Sequence, residues 1–247
     1  KHPNEFDGGC LMLVKNWMRQ PAITIDADDT AADAAFLLQR HEIHMLPVMQ
    51  KGALVGIVTD RDIKIASGPD VASGNFEKAH DRLSEISIKN IMTPDPVTVS
   101  LNFTLEETVE KLLVHHISGL PVVDRQQKLV GVITRSDLFN LILILTGFGK
   151  KGLQFTVEVG DQPDRLMAVT EIIRDYGGRI SSILSTNERA DKGKRRLYIR
   201  VFDIDQPSLQ HLKKTLKEKA SLLYIVDYKN KKREFFGEGE STQNENI

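Results

Sequence analysis

The chain has 247 residues, of which 40% are hydrophobic and 27% charged, a composition that supports one or two folded domains and excludes a peptide or a chain disordered throughout. Lys and Arg total 33 against 34 Asp and Glu, a net charge of -1, so no global basic excess points to DNA, RNA or a membrane surface. The single cysteine, Cys10, excludes an internal disulfide and a Cys-based zinc site and fits a reducing cytoplasm.

In chain order, residues 1–11 read as a leader or vector-derived segment, with Gly8, Gly9 and mostly polar neighbours. From Val14 a unit begins that returns later. Val14-Lys15-Asn16-Trp17-Met18 matches Ile88-Lys89-Asn90-Ile91-Met92, and the same register aligns Thr24 with Thr98, Thr30 with Thr104, His41 with His115 and Pro47 with Pro121. One inserted residue later, Leu54-Val55-Gly56-Ile57-Val58-Thr59 lies over Leu129-Val130-Gly131-Val132-Ile133-Thr134. This is an internal duplication. Each copy predicts a short strand (Ile23 to Ile25, Val97 to Val99) and a helix capped by Thr30 or Thr104. A strand around Pro47 or Pro121 follows, then an apolar strand, and a helix starts at Thr59 or Thr134. The unit is β-α-β-β-α, and a unit of about 50 residues buries its apolar faces poorly alone, so the two should close about a pseudo-twofold axis and leave a cleft.

Asn-x-Met at the start of each copy, the Leu-Pro-Val strand, and Gly-x-[Val/Ile]-Thr-x-x-Asp after the last strand, in this order twice, resemble a tandem pair of cystathionine-β-synthase (CBS) domains, the Bateman module. The resemblance covers Val14 to about Thr146, with repeat one at 12–75 and repeat two at 76–146. On residue spacing, Thr59-x-x-Asp62 and Thr134-x-x-Asp137 are capping boxes; equally, a helix start with an adjacent carboxylate can receive a ribose and its phosphate. Both readings need the same residues. CBS pairs that bind adenosine nucleotides place such an Asp on the ribose hydroxyls and the Thr near the phosphate. The resemblance therefore implies a nucleotide site formed by Thr59, Asp62, Thr134 and Asp137 with Arg61 and Arg135, and walls from Ile23, His44, Met45, Val97, Ser118 and Gly119. The copies differ: Asp60-Arg61 stands where the second has Arg135-Ser136, which predicts better tolerance of a polyphosphate at the second. His41-x-x-His44 and His115-His116 lack an acidic third ligand at helical spacing, so they read as surface or helix-end histidines and not as a metal site.

Leu138 to Leu145 predicts a mostly buried connecting helix, its apolar character also suiting a dimer contact; its run Leu141 to Leu145 is far short of the roughly 18 residues a membrane span needs. A linker at 147–152 follows. Leu153 to Val159 alternates strictly and predicts a half-exposed strand; Asp161-Gln162-Pro163 predicts a cap and an early-helix proline, with Leu166, Val169, Ile172 and Ile173 on one face of the helix. Strands at Arg179 to Thr186 and Arg196 to Phe202, a charged loop between them, a helix after Pro207 and a strand at Leu222 to Tyr228 complete β-α-β-β-α-β, the ferredoxin-like arrangement. With Asp-x-Pro-x-x-Leu after its first strand, residues 153–236 resemble an ACT domain, a module that often binds amino acids at subunit interfaces. The corresponding ligand site would involve Asp161, Asp164 and Leu166. Asp164 stands where that family usually has glycine, which adds bulk and repels an acid group. Residues 152–236 hold 17 Lys or Arg against 12 Asp or Glu; the basic clusters at Arg189 to Arg196 and Lys229 to Arg233 lack stacking aromatics and read as a solvated hairpin and terminus. Residues 237–247 read as a disordered tail.

The fold class is thus α/β and α+β: tandem β-α-β-β-α repeats followed by a ferredoxin-like domain. No Gly-x-Ser-x-Gly elbow, P-loop or His-Glu-x-x-His occurs, so a regulatory protein is expected and not an enzyme. The order of modules resembles the bacterial acetoin-utilisation regulatory proteins. That resemblance implies a cytoplasmic homodimer sensing AMP, ADP or ATP, needing no other cofactor, and passing the signal to a metabolic protein target. The alternative is a ligand-free structural or oligomerisation adaptor.

Overall fold

A computed structural model of the chain describes residues 12–68, 76–149 and 152–236 and the backbone of Glu245–Asn246. The chain divides into two compact units, Lys1–Phe139 and Asn140–Ile247. The leader expectation for 1–11 lies outside the described residues, as does most of the expected tail; within the latter, Glu245 and Asn246 pair with Arg233 and Lys232.

In the first unit, repeat one consists of β1 (Ile25–Asp26), α1 (Ala31–Arg40), β2 (Met45–Gln50), β3 (Ala53–Thr59) and α2 (Asp60–Ser67). After α3 (Phe76–Ser84), repeat two consists of β4 (Thr93–Pro94), β5 (Val99–Ser100), α4 (Leu105–Val114), β6 (Gly119–Val123), β7 (Leu129–Thr134) and α5 (Arg135–Leu145). In each repeat a parallel pair, β1 with β2 or β5 with β6, continues into an antiparallel hairpin, β2 with β3 or β6 with β7.

The repeats are joined by a reciprocal exchange of their leading segments. Val14 N–H donates to the Phe103 carbonyl at 2.9 Å, and its counterpart Ile88 N–H donates to the Asp29 carbonyl at 2.9 Å. Lys15 and Lys89 repeat the pattern on the Leu101 and Ala27 carbonyls. Further along, Arg19 pairs with Val132 on β7, while Thr93 and Pro94 pair with Ile57 and Gly56 on β3. Val14 and Ile88 are fully buried at these crossings, each contributing about 1.5–3 kcal/mol of apolar burial. The exchange explains a difference from the expected strands: Ile23 and Val97 lie ahead of β1 and β5. The chain there is passing from the other repeat's sheet to its own and cannot pair with either.

Two features of this unit depart from expectation. α3, a nine-residue helix, was not foreseen because five of its residues from Glu77 to Arg82 are charged or His; it seats Ala79 and Leu83. α5 is not mostly buried: Leu138 and Leu141 are, but Phe139, Ile142, Leu143 and Ile144 are exposed. Apolar residues occupy every side of this helix, so one packed face leaves the others in solvent.

The second unit runs β8 (Leu153–Gly160), α6 (Pro163–Asp175), β9 (Arg179–Thr186), β10 (Lys194–Phe202), α7 (Gln206–Lys219), β11 (Ser221–Asp227) and β12 (Lys232–Phe235). Its antiparallel sheet has the order β12-β11-β8-β10-β9. Phe155, Val157, Leu197 and Ile199 from the sheet pack with Val169, Ile173, Leu212 and Leu216 from the helices. β12 was not expected; Lys229 to Lys231 turn the chain back, so the basic cluster there is a hairpin. β8 is central and not half-exposed. Its second face carries Thr156 and Glu158, only 1% and 6% exposed, because Tyr198 and Arg196 stand directly opposite them on β10. The basic cluster before Arg196 is likewise engaged: Lys194 and Arg196 bind Glu158 at 3.2 and 3.1 Å, and Arg195 binds Asp161 at 2.6 Å.

Candidate functional site

Both Thr-x-x-Asp motifs form capping boxes. At the start of α2, Thr59 N–H and Oγ1 donate to Asp62 Oδ2 at 2.8 and 2.6 Å, and Asp62 N–H returns to Thr59 Oγ1 at 3.4 Å. At the start of α5, Thr134 N–H and Oγ1 meet Asp137 Oδ2 at 2.9 and 2.5 Å, and Asp137 N–H meets Thr134 Oγ1 at 3.3 Å. In each carboxylate one oxygen is committed to the cap. The other oxygens differ. Asp137 Oδ1 accepts from Arg19 Nε at 2.9 Å, whereas Asp62 forms no ion pair among the described residues. The residue aligned with Arg19 is Thr93, which cannot supply the charge.

A cavity of about 460 Å³ opens beside the α5 cap, within the 300–1,000 Å³ typical of small-molecule sites. Thr134, Arg135 and Ser136 bring the helix start to it, and Arg19 and Pro21 come from the exchanged leading segment. Ile23, Met45 and Val132 give apolar surface; His41, Glu42, Ile43 and His44 follow α1, and Ser118 and Gly119 open β6. Met45 reaches across to the second repeat, where a Cβ on Gly119 would meet its Cε at 3.0 Å. The cavity thus joins a helix N-terminus with its positive dipole end, two guanidinium groups and apolar side chains, a lining that can take an anionic group and an apolar ring. His44 Nδ1 lies 3.4 Å from Asp60 Oδ2 on the first repeat's helix start. Among the described residues no group of three or more His, Cys, Asp or Glu side chains is placed to hold a metal ion.

The CBS domain family profile matches residues 14–68 and 88–144. A CBS domain-containing protein of Dictyostelium discoideum is 35% identical over 133 residues, covering 53% of this chain and 92% of that protein. The chain belongs to the CBS domain family. The CBS domain-containing protein YhcV of Bacillus subtilis is 30% identical over 128 residues, covering 52% of this chain and 84% of that protein. Among solved structures, the CBS domain pair of protein MJ0100 in complex with 5′-methylthioadenosine and S-adenosyl-L-methionine is 30% identical, covers 53% of this chain and 98% of that one, and has a TM-score of 0.44. A CBS pair is a regulatory module, not a catalytic one.

Of the site residues expected for the CBS pair, the cavity brings together Thr134, Arg135, Ile23, His44, Met45, Ser118 and Gly119. Thr59, Arg61, Asp62 and Val97 are not among its lining residues, and Asp137 stands behind Thr134, reached through Arg19. Sequence reasoning missed Arg19, Pro21, His41, Glu42, Ile43, Val132 and Ser136. The sequence showed both Asn-x-Met and the glycine-bearing strand of each copy, but not that the segment after the one pairs with the other across the repeats.

In the second unit, Asp161 does not cap α6. The N-cap is Gln162, without a side-chain bond, because Asp161 is drawn to Arg195 Nε at 2.6 Å and Asn187 Nδ2 at 2.8 Å. Asp164 is exposed beside Arg165, and Leu166 packs on the core. A cavity of about 470 Å³ near α6 is lined instead by Glu158, Gly160, Gln162, Arg165 and Lys194, among others. The three expected residues therefore do not converge on one site.

Proposed function

We propose that the CBS pair binds an adenosine-containing nucleotide in the cavity beside Thr134 and transmits its presence to a protein target. The observation that carries this reading is that one cavity gathers Arg19, Arg135 and the α5 N-terminus together with the apolar Ile23, Met45 and Val132. A ribose that takes Asp137 Oδ1 displaces Arg19 from it and turns that guanidinium toward the phosphates. The loss of the carboxylate that the first repeat has at Asp60 favours the more highly charged ADP and ATP at the α5 start. Binding then shifts a conformational equilibrium by the difference in affinity between its two states.

In this reading the second unit is an ACT-type module that assembles the protein as a homodimer in the cytoplasm, and the target lies in acetoin or related carbon metabolism, as the order of modules suggests. Isothermal titration of AMP, ADP, ATP and S-adenosylmethionine tests the nucleotide site. At least one adenosine compound is expected to bind the wild type. Arg19→Ala should weaken ATP about tenfold or more, as expected for a charge-assisted contact, while Asp62→Ala, outside the cavity, should leave it unchanged. Absence of binding by every adenosine compound would leave the ligand-free adaptor.

A further inference from the structure

Arg200 on β10 is 4% exposed. Its Nη2 donates to Gln154 Oε1 at 2.8 Å, but Nε and Nη1 are buried with no partner. A guanidinium does not shed its proton to escape burial, and no carboxylate of the described residues pairs with it. The contrast on the same sheet face is direct: buried Glu158 is compensated on both oxygens by Lys194 and Arg196. The rings of Phe148 and Tyr228 lie 5.6 and 4.6 Å from Arg200 Cζ and 5.2 Å from one another, so both crowd one side of the guanidinium instead of sandwiching it. They attract the charge but do not satisfy its N–H donors. Thr156 Oγ1, the other buried side-chain atom without a partner among the described residues, is on the same face.

A cavity of about 290 Å³ meets this charge, lined by Arg200, Gln154, Tyr198, Ser182, Thr146 and Leu184. We propose that it is a binding site for a small organic carboxylate. A guanidinium presents two N–H forks, each joining Nη2 with one of the two orphaned nitrogens; Nη2 gives one of its N–H groups to Gln154, so a planar carboxylate can occupy the fork that its other N–H shares with an orphaned nitrogen. Gln154 Oε1 already accepts from Arg200 and from Tyr228 Oη at 3.3 Å, leaving its amide N–H₂ to donate. Leu184 and Tyr198 give the carbon end of an acid an apolar wall that a bare inorganic anion would not use. The site lies apart from the residues expected for an amino-acid ligand, Asp161, Asp164 and Leu166.

The test follows the Arg200 Nε–H resonance of the full chain while acetate, propionate or pyruvate is added, with chloride and inorganic phosphate as comparison anions. A saturable shift with at least one of the acids is expected. Arg200→Lys, which keeps the charge without the planar fork, should weaken the acid's stabilisation against heat about tenfold or more in apparent affinity. Leu184 is 47% exposed, so Leu184→Asp should fold and repel the acid to a similar degree. A resonance that no acid moves would overturn the proposal. So would equal responses to chloride and phosphate, or undiminished acid binding in both variants.

Discussion

A Cβ on Gly131 would stand 2.6 Å from the Arg19 carbonyl and 2.9 Å from Met18 Sδ, and one on Gly56 would stand 2.5 Å from Met92 Sδ and 3.0 Å from the Thr93 carbonyl. The glycine of each apolar strand and the methionine of each Asn-x-Met are therefore two halves of one contact, made with the other repeat. The tighter obstacle at Gly131 is backbone, while at Gly56 it is a flexible thioether. Gly131→Ala should accordingly cost about 1–3 kcal/mol as overpacking, and Gly56→Ala less, as read from urea denaturation midpoints. Gly131→Ala should also weaken nucleotide binding, because it moves Arg19; Gly56→Ala should not. Equal losses of stability in the two variants would contradict the assignment. Both motifs were readable in the sequence. Their meeting was not, since the residues that touch are over a hundred positions apart for Gly131 and under forty for Gly56.

Helix starts are the best-determined elements of the chain. Thr30 caps α1 by accepting from Asp33 N–H at 3.2 Å while Asp33 Oδ2 takes the Thr30 N–H at 3.0 Å and hydroxyl at 2.6 Å; Thr104 and Glu107 do the same for α4. Those bonds from Thr30, the side-chain hydroxyl foremost, hold the Asp33 carboxyl below its ordinary value. A carboxyl lowered on folding stabilises the protein above its unfolded value, and that contribution fades as pH falls through the folded one. Thr30→Ala should cost about 1 kcal/mol near neutrality. Asp33→Asn should be less stable than wild type there, and the gap should close below the ordinary carboxylate value of about 4; urea denaturation at the two pH values measures it. A gap unchanged in acid would show that Asp33 acts without its charge. Caps could be read from sequence because they involve residues three apart. α3 and β12 could not, since their apolar patterns are short and their charges dense.

At the scale of the molecule, the exposed apolar surface of α5 is the feature that single-chain packing leaves unanswered. Phe139, Ile142, Leu143 and Ile144 are all exposed within six residues of one helix, a concentration of apolar side chains of the kind that marks an interaction surface. If this helix adds to the homodimer contact proposed for the second unit, Ile142→Asp should weaken association by roughly tenfold or more, since burying such a side chain contributes about 1.5–3 kcal/mol; sedimentation equilibrium would show the monomer. A dimer unaffected by Ile142→Asp and Phe139→Asp would place the contact elsewhere. The repeat, its pseudo-symmetry, the series of elements apart from α3, β4 and β12, and the threonine caps of the CBS pair follow from local spacing and hydrophobic period, which any stretch of chain carries within itself. Which carboxylate receives Arg19, which helix start opens on the cavity, and why Arg200 is enclosed without a counter-charge among the described residues depend on groups brought together across the chain. Their energies arise from proximity and exclusion of water, and neither exists until the sheets have closed.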